Sequence, residues 1–200
     1  MEVFNRVEIV KLIELHKVWI ESVGNKGEKL SVDEIDFRDL DLTGYPLNQT
    51  ILTGGIFDGM DLRNIDMSSS LLCSSTLRNT NLVNADFYKA DLSYADLTNA
   101  NATNARFAKT DCSEAIFCKD HLVNSKLISW SLFLTDFQNA NLTNVDISLS
   151  SFEETLLKGA KLAGIKGLKE AFIKSINIGT QENPIILYGE KAIDWIHKRV

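Results

Sequence analysis

The sequence lacks any apolar run long enough to cross a membrane, and it contains only two prolines in 200 residues. Residues 1–17 mix acidic and basic side chains with apolar ones, which is not the pattern of a secretion signal. The three cysteines, Cys73, Cys112 and Cys118, are odd in number and have neither CxxC nor zinc-ligand spacing. We therefore expect a reduced, cytoplasmic protein that has no membrane partner.

Motifs for catalysis and cofactor binding are also missing. The sequence has no GxSxG, P-loop, HExxH or glycine-rich phosphate loop. His16, His121 and His197 lie in three different regions without metal-ligand spacing, so ordinary surface or end-cap histidines are favoured over a metal site. The net charge of −6 disfavours direct binding to nucleic acid. We predict a chain without catalytic residues, cofactor or metal.

What the sequence does contain is a period of five residues. It runs from Ile35–Asp39 to Ala160–Gly164 as 26 consecutive pentads without an insertion or deletion. The central residue is Leu or Phe in 22 of the 26, and the residue before it is Asp or Asn in 13. The residue two before the centre is Ala, Ser, Thr or Gly in 18 of them. A helix repeats in 3.6 residues and a strand in two, so neither alone explains this period.

The last residue of each pentad indicates a turn. Gly or Asn occupies this position in 13 of the 26 pentads, and both tolerate a left-handed backbone. Each pentad therefore predicts a short extended piece followed by a corner, with its first and third side chains directed inward. One such unit cannot bury its own core, but a stack of coils can.

The pentads ADFYK, ADLSY, ADLTN and ANLTN resemble the A(D/N)LXX consensus of the pentapeptide-repeat family. The resemblance implies an all-β solenoid, a right-handed, quadrilateral, parallel β-helix with four pentads to a coil. Central residues twenty positions apart would then stack, and one such column is Phe37, Phe57, Leu77, Leu97, Phe117, Phe137 and Leu157.

The ends of such a rod need covers. We divide the single structural domain into an N-terminal helical cap and lead-in (1–34), the repeat β-helix (35–166) and a C-terminal segment (167–200). The first segment predicts an amphipathic helix over about residues 2–22, with an apolar face of Val3, Val7, Val10, Leu12, Leu15, Trp19 and Val23. The last segment predicts two short strands around a polar turn and then a helix. It is either a second cap or a dimerisation element, and the resemblance supports both uses.

Two residues break the pattern, because Asp120 and Trp130 occupy slots for small inward side chains. We expect the rod to be bulged or loosened between Asp120 and Leu134, since a buried carboxylate and an indole fit poorly there. Apolar residues also stand at outward positions in this region. The C-terminal segment or a partner protein would cover them, and the candidate apolar contact residues are Ile128, Trp130, Phe133, Leu134, Leu149, Trp195 and Ile196.

Two functions remain. The first, favoured here, is a non-enzymatic scaffold that binds another protein. The second, suggested by quinolone-resistance members of the family, is a DNA-mimicking inhibitor or protector of DNA gyrase or topoisomerase IV. Residues 35–99 carry 9 acidic and 4 basic residues, whereas 100–164 carry 7 and 6. The whole rod has about one net charge per 5 Å, against one per ~1.7 Å in duplex DNA. The candidate acidic face is Asp36, Asp41, Asp61, Asp66, Asp86, Asp91 and Asp96.

Overall fold

A computed structural model describes residues 5–200 of the chain. Within them it contains two helices and six short strands. Helix α1 spans Arg6–Glu21. The strands are β1 (Ser131–Phe133), β2 (Ser151–Glu153), β3 (Thr155–Leu156), β4 (Phe172–Ile173), β5 (Ser175–Asn177) and β6 (Ile186–Tyr188), and helix α2 (Gly189–His197) follows them. Most of the chain between α1 and β1 is held by single parallel bridges rather than by long strands.

The parallel bridges from Ser31 to Lys166 join residues that are twenty positions apart. Asp96, for example, pairs with Thr76 on one side and with Ile116 on the other. The Leu97 N–H donates to the Ile116 carbonyl at 2.8 Å, and the Asp96 N–H donates to the Ser75 carbonyl at 2.9 Å. One coil is therefore four pentads, as the resemblance implied.

Each pentad of a coil forms one of four faces. Face one holds the pentads centred on Phe37 and on every twentieth residue to Leu157; faces two, three and four begin with Leu42, Leu47 and Leu52. The central side chains are buried in one continuous core. The phenylalanines stack as the columns predict, with ring centroids 4.7 Å apart for Phe37 and Phe57 and 5.0 Å apart for Phe87 and Phe107.

The corners lie where the sequence predicts them. Every fifth residue from Gly44 to Gly164 has a positive φ, and the turn after Leu97 is closed by the Ala100 N–H, which donates to the Leu97 carbonyl at 2.9 Å. Corner residues that are neither Gly nor Asn adopt the same conformation, including Leu149 at φ 61°. Such residues carry a steric penalty that Gly avoids.

Serine and threonine at the inward slot beside a corner are buried but satisfied. The Ser75 hydroxyl donates to the Leu52 carbonyl at 3.0 Å, and the Thr110 hydroxyl donates to the Phe87 carbonyl at 2.8 Å. These bonds link successive coils, so the small polar residues of the repeat fit the core without leaving unpaired groups.

The N-terminal end differs from the prediction in two ways. Leu30–Glu34 forms one further pentad of the rod, because Ser31 pairs with Ile51 and Glu34 has the corner φ of 56°. The predicted apolar face of α1 was wrong in part: Ile9, Ile13 and His16 are the buried residues of this helix, while Leu12, Leu15 and Trp19 of the predicted face are half-buried. Val7, Val10 and Val23 are exposed, and Val3 lies outside the described residues. The valines and the isoleucines of this helix both have helical spacing, so the sequence alone could not show which of the two sets faces the rod.

The expected bulge between Asp120 and Leu134 was also wrong. The bridges Asp111–Ser131 and His121–Asn141 keep the twenty-residue register through this region. The Trp130 indole fits because the residues above and below it in the same slot, Thr110 and Ser150, are small. Its ring packs against three phenylalanines, with centroid distances of 5.0 Å to Phe107, 5.5 Å to Phe117 and 6.2 Å to Phe137.

An irregularity does occur later, between Lys166 and Phe172. Strand β2 pairs with β4 with Ser151 opposite Phe172, so one extra residue has entered the coil. Strand β5 then pairs in parallel with β3 and antiparallel with β6, which gives the predicted pair of short strands around a polar turn. Helix α2 buries Ala192 and Ile196, and Ile196 contacts the apolar interior of the last coil beside Phe152, Leu157 and Leu162.

Candidate interaction surfaces

The seven candidate aspartates all stand one position before a pentad centre, on the outside of the rod, and none is buried. They do not share a face. The register places Asp36 and Asp96 on face one, Asp41 and Asp61 on face two, Asp66 and Asp86 on face three, and Asp91 on face four. The prediction of one acidic face was therefore wrong, because aspartates that are five residues apart stand on successive faces of the coil.

Four of these carboxylates are paired with arginine. The closest N–O distances are 2.6 Å for Asp36–Arg38 and Asp61–Arg63, 2.9 Å for Asp86–Arg106 and 2.7 Å for Asp96–Arg78. The hydrogen bonds from Arg38 and Arg63 lower the pKa of Asp36 and Asp61 below the ordinary value. A paired carboxylate presents less negative potential to a partner than a free one.

The same slot has a local structural role. The Asp66, Asp86 and Asp91 carboxylates accept the N–H two residues later, from Ser68 at 2.9 Å, Tyr88 at 2.8 Å and Ser93 at 2.9 Å. The Asn101 amide oxygen accepts in the same way from Thr103 at 3.2 Å. This Asx-type turn explains why Asp and Asn alternate at this position.

The candidate apolar residues divide into exposed and buried groups. Phe133 is 40% exposed and Leu149 is 54% exposed, while Ile128, Leu134 and Trp195 are half-buried. Trp130 is 1% exposed and Ile196 is 2% exposed, so both are core residues and cannot make an outside contact. The C-terminal segment does not cover Phe133 and Leu149, which stay open to solvent.

Further exposed apolar residues were missed by the sequence analysis. Leu71 and Ile116 stand in the outward slot usually held by Asp or Asn, and this departure could have identified them. Phe172, Ile185 and Tyr188 are exposed around β4 and β6. They lie beyond the regular repeat, so the pentad pattern gave no signal for them.

Asp120 is fully buried in its inward slot. Its Oδ1 accepts the Ala100 N–H at 2.7 Å, whereas its Oδ2 has no hydrogen-bond partner in the structure. Burial, with the Asp96 carboxylate nearby, raises the pKa of Asp120 well above the ordinary value, although the Ala100 N–H opposes the shift. A carboxyl group in this setting is a source of instability at neutral pH.

His16 is buried where α1 meets the first coils. The Leu30 N–H donates to Nδ1 at 3.1 Å, and Nε2 lies 3.1 Å from the Asn48 carbonyl. Since Nδ1 accepts, Nε2 carries the ring proton and the imidazole is neutral. Burial lowers the pKa of His16. Its role is therefore to join the helix to the rod.

The third buried titratable side chain among the described residues is that of Cys112. Cys112 lies at a pentad centre, and burial raises the pKa of its thiol. From residue 5 onward, no group of three or more His, Cys, Asp or Glu side chains has an arrangement that could hold a metal ion. No helix within the same residues is both long and apolar enough to span a bilayer.

The twenty-residue coil with a corner at every fifth residue defines the chain as a β-helical repeat solenoid. The family profile described as pentapeptide repeats matches it in eight copies, at residues 65–101, 95–119 and 135–166. These copies identify residues 65–119 and 135–166 as pentapeptide repeats.

A solved structure of a fluoroquinolone resistance protein supports this fold, and two others are similar over part of the chain. A trypsin-treated form of QnrB1, a plasmid-mediated fluoroquinolone resistance protein, has a TM-score of 0.51 and 11% identity, covering 72% of this chain and 77% of that one. A pentapeptide repeat protein from the Arabidopsis thaliana thylakoid lumen is 24% identical over 56% of this chain and 76% of its own, with a TM-score of 0.42. Rfr23 from the cyanobacterium Cyanothece 51142 is 22% identical over 62% and 90%, with a TM-score of 0.39. No curated protein sequence matches the chain.

Proposed function

We propose that the chain is a non-enzymatic scaffold whose outer surface binds another protein. The observation that carries this proposal is the presence of exposed apolar side chains in outward slots that the repeat fills mostly with polar residues. Phe133 and Leu149 lie on neighbouring pentads of successive coils and remain open to solvent. A regular hydrogen-bonded rod holds such residues in fixed positions, and exposed apolar groups of this kind commonly mark a contact.

The proposal also includes the handedness of the coil, the capping role of the two helices and the division of the chain into segments. The coil is right-handed, as connections between parallel strands almost always are. Helix α1 covers the first coil and α2 covers the last, a role supported by the buried Ile9, Ile13 and Ile196. The segments 1–34, 35–166 and 167–200 act as one domain in the cytoplasm.

Photo-crosslinking tests the scaffold. A photoreactive phenylalanine analogue is placed at Phe133 or Leu149, and at Asn104 as a matched control on another corner. We expect the first two positions to capture the same protein in the native cell and Asn104 to capture none. Equal labelling from all three positions, or no labelling from any, would reject this surface as the contact.

Inhibition of DNA gyrase or topoisomerase IV is the second candidate. The net acidity of residues 35–99 favours it, but the arginine pairs and the distribution over four faces oppose it. The likeness to QnrB1, at 11% identity, extends to the fold alone. We expect no inhibition by the wild-type protein at physiological salt. Inhibition that is abolished by changing Asp61, Asp66, Asp86 and Asp91 together to Asn, without a change in Tm, would establish this alternative.

A homodimer is the third element of the proposal. Ile196 is buried in the core of its own chain, and the exposed apolar side chains at this end are Phe172, Ile185, Tyr188 and Val200. Two copies would bury these residues together in a symmetric contact. Sedimentation of the wild type against a Phe172→Ser, Tyr188→Ser variant decides: the wild type should sediment as a dimer and the variant as a monomer. A monomeric wild type removes the dimer.

A further inference from the structure

A groove of about 250 Å³ runs along the corner between face four and face one, near the C-terminal end of the rod. The apolar side chains of its lining, which form its floor, are Ile116, Leu134 and Leu156, and the register places Asp136 between Ile116 and Leu156. Pro184, in the loop between β5 and β6, forms part of the opposite wall. The groove is smaller than the ~300–1,000 Å³ of sites for drug-sized ligands, so its size suits one long side chain.

The wall of the groove is preformed. Asn177, at the end of β5, is buried, and its amide oxygen accepts the N–H groups of Gly179 at 2.8 Å and Ile185 at 3.0 Å. The Ile178 N–H also donates to the Ile185 carbonyl at 2.9 Å. These bonds close the loop over residues 178–185, so that a ligand would meet a fixed surface.

The charged side chains of the groove lining, hereafter the rim carboxylates, are all acidic. Glu114, Asp136 and Glu154 line the groove, and no lysine, arginine or histidine does. Glu114 accepts a hydrogen bond from the Tyr94 hydroxyl at 3.1 Å. Lys174, which stands nearby, is paired with Glu153 rather than with a rim carboxylate. Asp136 accepts hydrogen bonds from the Gln138 N–H at 2.7 Å and from its side-chain amide at 3.0 Å. A cation entering the groove would therefore meet three carboxylates that are hydrogen-bonded in part but not neutralised by an arginine or lysine of the lining.

We propose that this groove binds an arginine or lysine side chain on an extended segment of a partner protein. The inference rests on the scaffold function and names the chemistry of its partner. The methylene stem of such a side chain would lie on Ile116, Leu134 and Leu156, while its charged head reaches the carboxylates at the rim. The groove thus combines an apolar floor, a rigid wall and a charge complementary to that occupant.

The test is an NMR titration of the full chain with the probe acetyl-Ala-Ala-Arg-Ala-Ala-amide. We expect saturable methyl shifts at Ile116, Leu134 and Leu156, with millimolar affinity because only one side chain is engaged. A peptide with norleucine in place of arginine has a similar stem without the charge and should not bind. Spermidine serves as a free cation and should bind without saturation.

Two charge variants test whether binding depends on the carboxylates of this groove or on the overall negative charge of the rod. Replacing Glu114 and Glu154 with Gln should weaken binding roughly tenfold, as expected for loss of paired charges. Replacing Asp66 and Asp146 with Asn removes the same charge from face three and should leave binding unchanged. Leu134→Lys places an ammonium group in the groove and should abolish binding. Thermal melts check that each variant is folded.

Several results would overturn the proposal: no shift at the three methyl groups, equal binding by norleucine peptide or spermidine, or equal weakening in the face-three variant. These failures differ from failure of the scaffold function. If Phe133 and Leu149 still crosslink a partner in the Glu114→Gln, Glu154→Gln variant, then the scaffold stands and the groove alone is excluded.

Discussion

Replacing Asp120 with Ala should stabilise the protein at neutral pH. The substitution removes a buried carboxyl oxygen without a hydrogen-bond partner, a group that costs about 1–3 kcal/mol. The hydrogen bond from the Ala100 N–H is lost, but this N–H keeps its bond to the Leu97 carbonyl at 2.9 Å. A cavity of roughly 30 Å³ would cost about 0.7 kcal/mol. The expected net gain is about 1 kcal/mol, or a rise in Tm of about 2–4 °C.

The pH dependence of this gain is the sharper test. Burial raises the pKa of the folded Asp120 carboxyl above its ordinary value of 3.8. The contribution of Asp120 to stability is therefore fully present below pH 3.8 and is lost as the pH rises through the raised pKa. The advantage of the Ala variant should be small near pH 4 and larger at pH 8.

Thermal melts from pH 4 to pH 8 measure the difference. Asp120→Asn keeps the side-chain volume and removes the titration, so its melting curve should lose the same pH dependence. Asp91→Asn, an outward change in the same type of coil, should leave the wild-type dependence intact. A difference between wild type and Ala variant that is constant with pH, or an Ala variant that is less stable throughout, would refute the reasoning.

Three further changes test the core, the corners and the helix contact. Leu97→Ala should cost ~2–5 kcal/mol in chemical denaturation, because stacked coils cannot close the cavity. Asp91→Ser should cost under ~1 kcal/mol, and equal losses at the two sites would mean that the register is wrong; Asp96 is a poorer control because it is paired with Arg78. Leu149→Asn should raise stability by about 1 kcal/mol by relieving a left-handed leucine, and a lower Tm would contradict this. Because burial lowers the pKa of His16, its contribution should be present above pH 6.5 and decline as the pH falls below it; a His16→Gln variant with the same acid-side loss of Tm would exclude this cause.

Most of the fold could be predicted from the five-residue period of the sequence. The period located the corners, the central column and the stacking of Phe37 on Phe57, because each depends only on a residue's place within its own pentad and on the coil length. The N-terminal limit was missed since Leu30–Glu34 has Val32 at its centre, a residue that the pattern does not single out.

The candidate sites depended on information that the period does not contain. Whether Trp130 fits depends on the small residues Thr110 and Ser150 in the same slot of the coils on either side, which the pattern within a single pentad does not show. The ion pair between Arg106 and Asp86 also joins positions twenty residues apart, so it could have been found once the coil length was fixed. The extra residue before Phe172 and the loop over residues 178–185, which forms the wall of the groove, lie beyond the regular repeat, so the period gives no signal for them.

The turn at the outward Asp or Asn slot has a consequence for how such a rod can diverge. An aspartate and an asparagine supply the same oxygen to the N–H two residues later, so either can occupy the slot without disturbing the coil. The charge at each of these positions can therefore change without a change in the core. The pattern of charge along the rod can change one residue at a time, so two rods with the same backbone can bind very different partners.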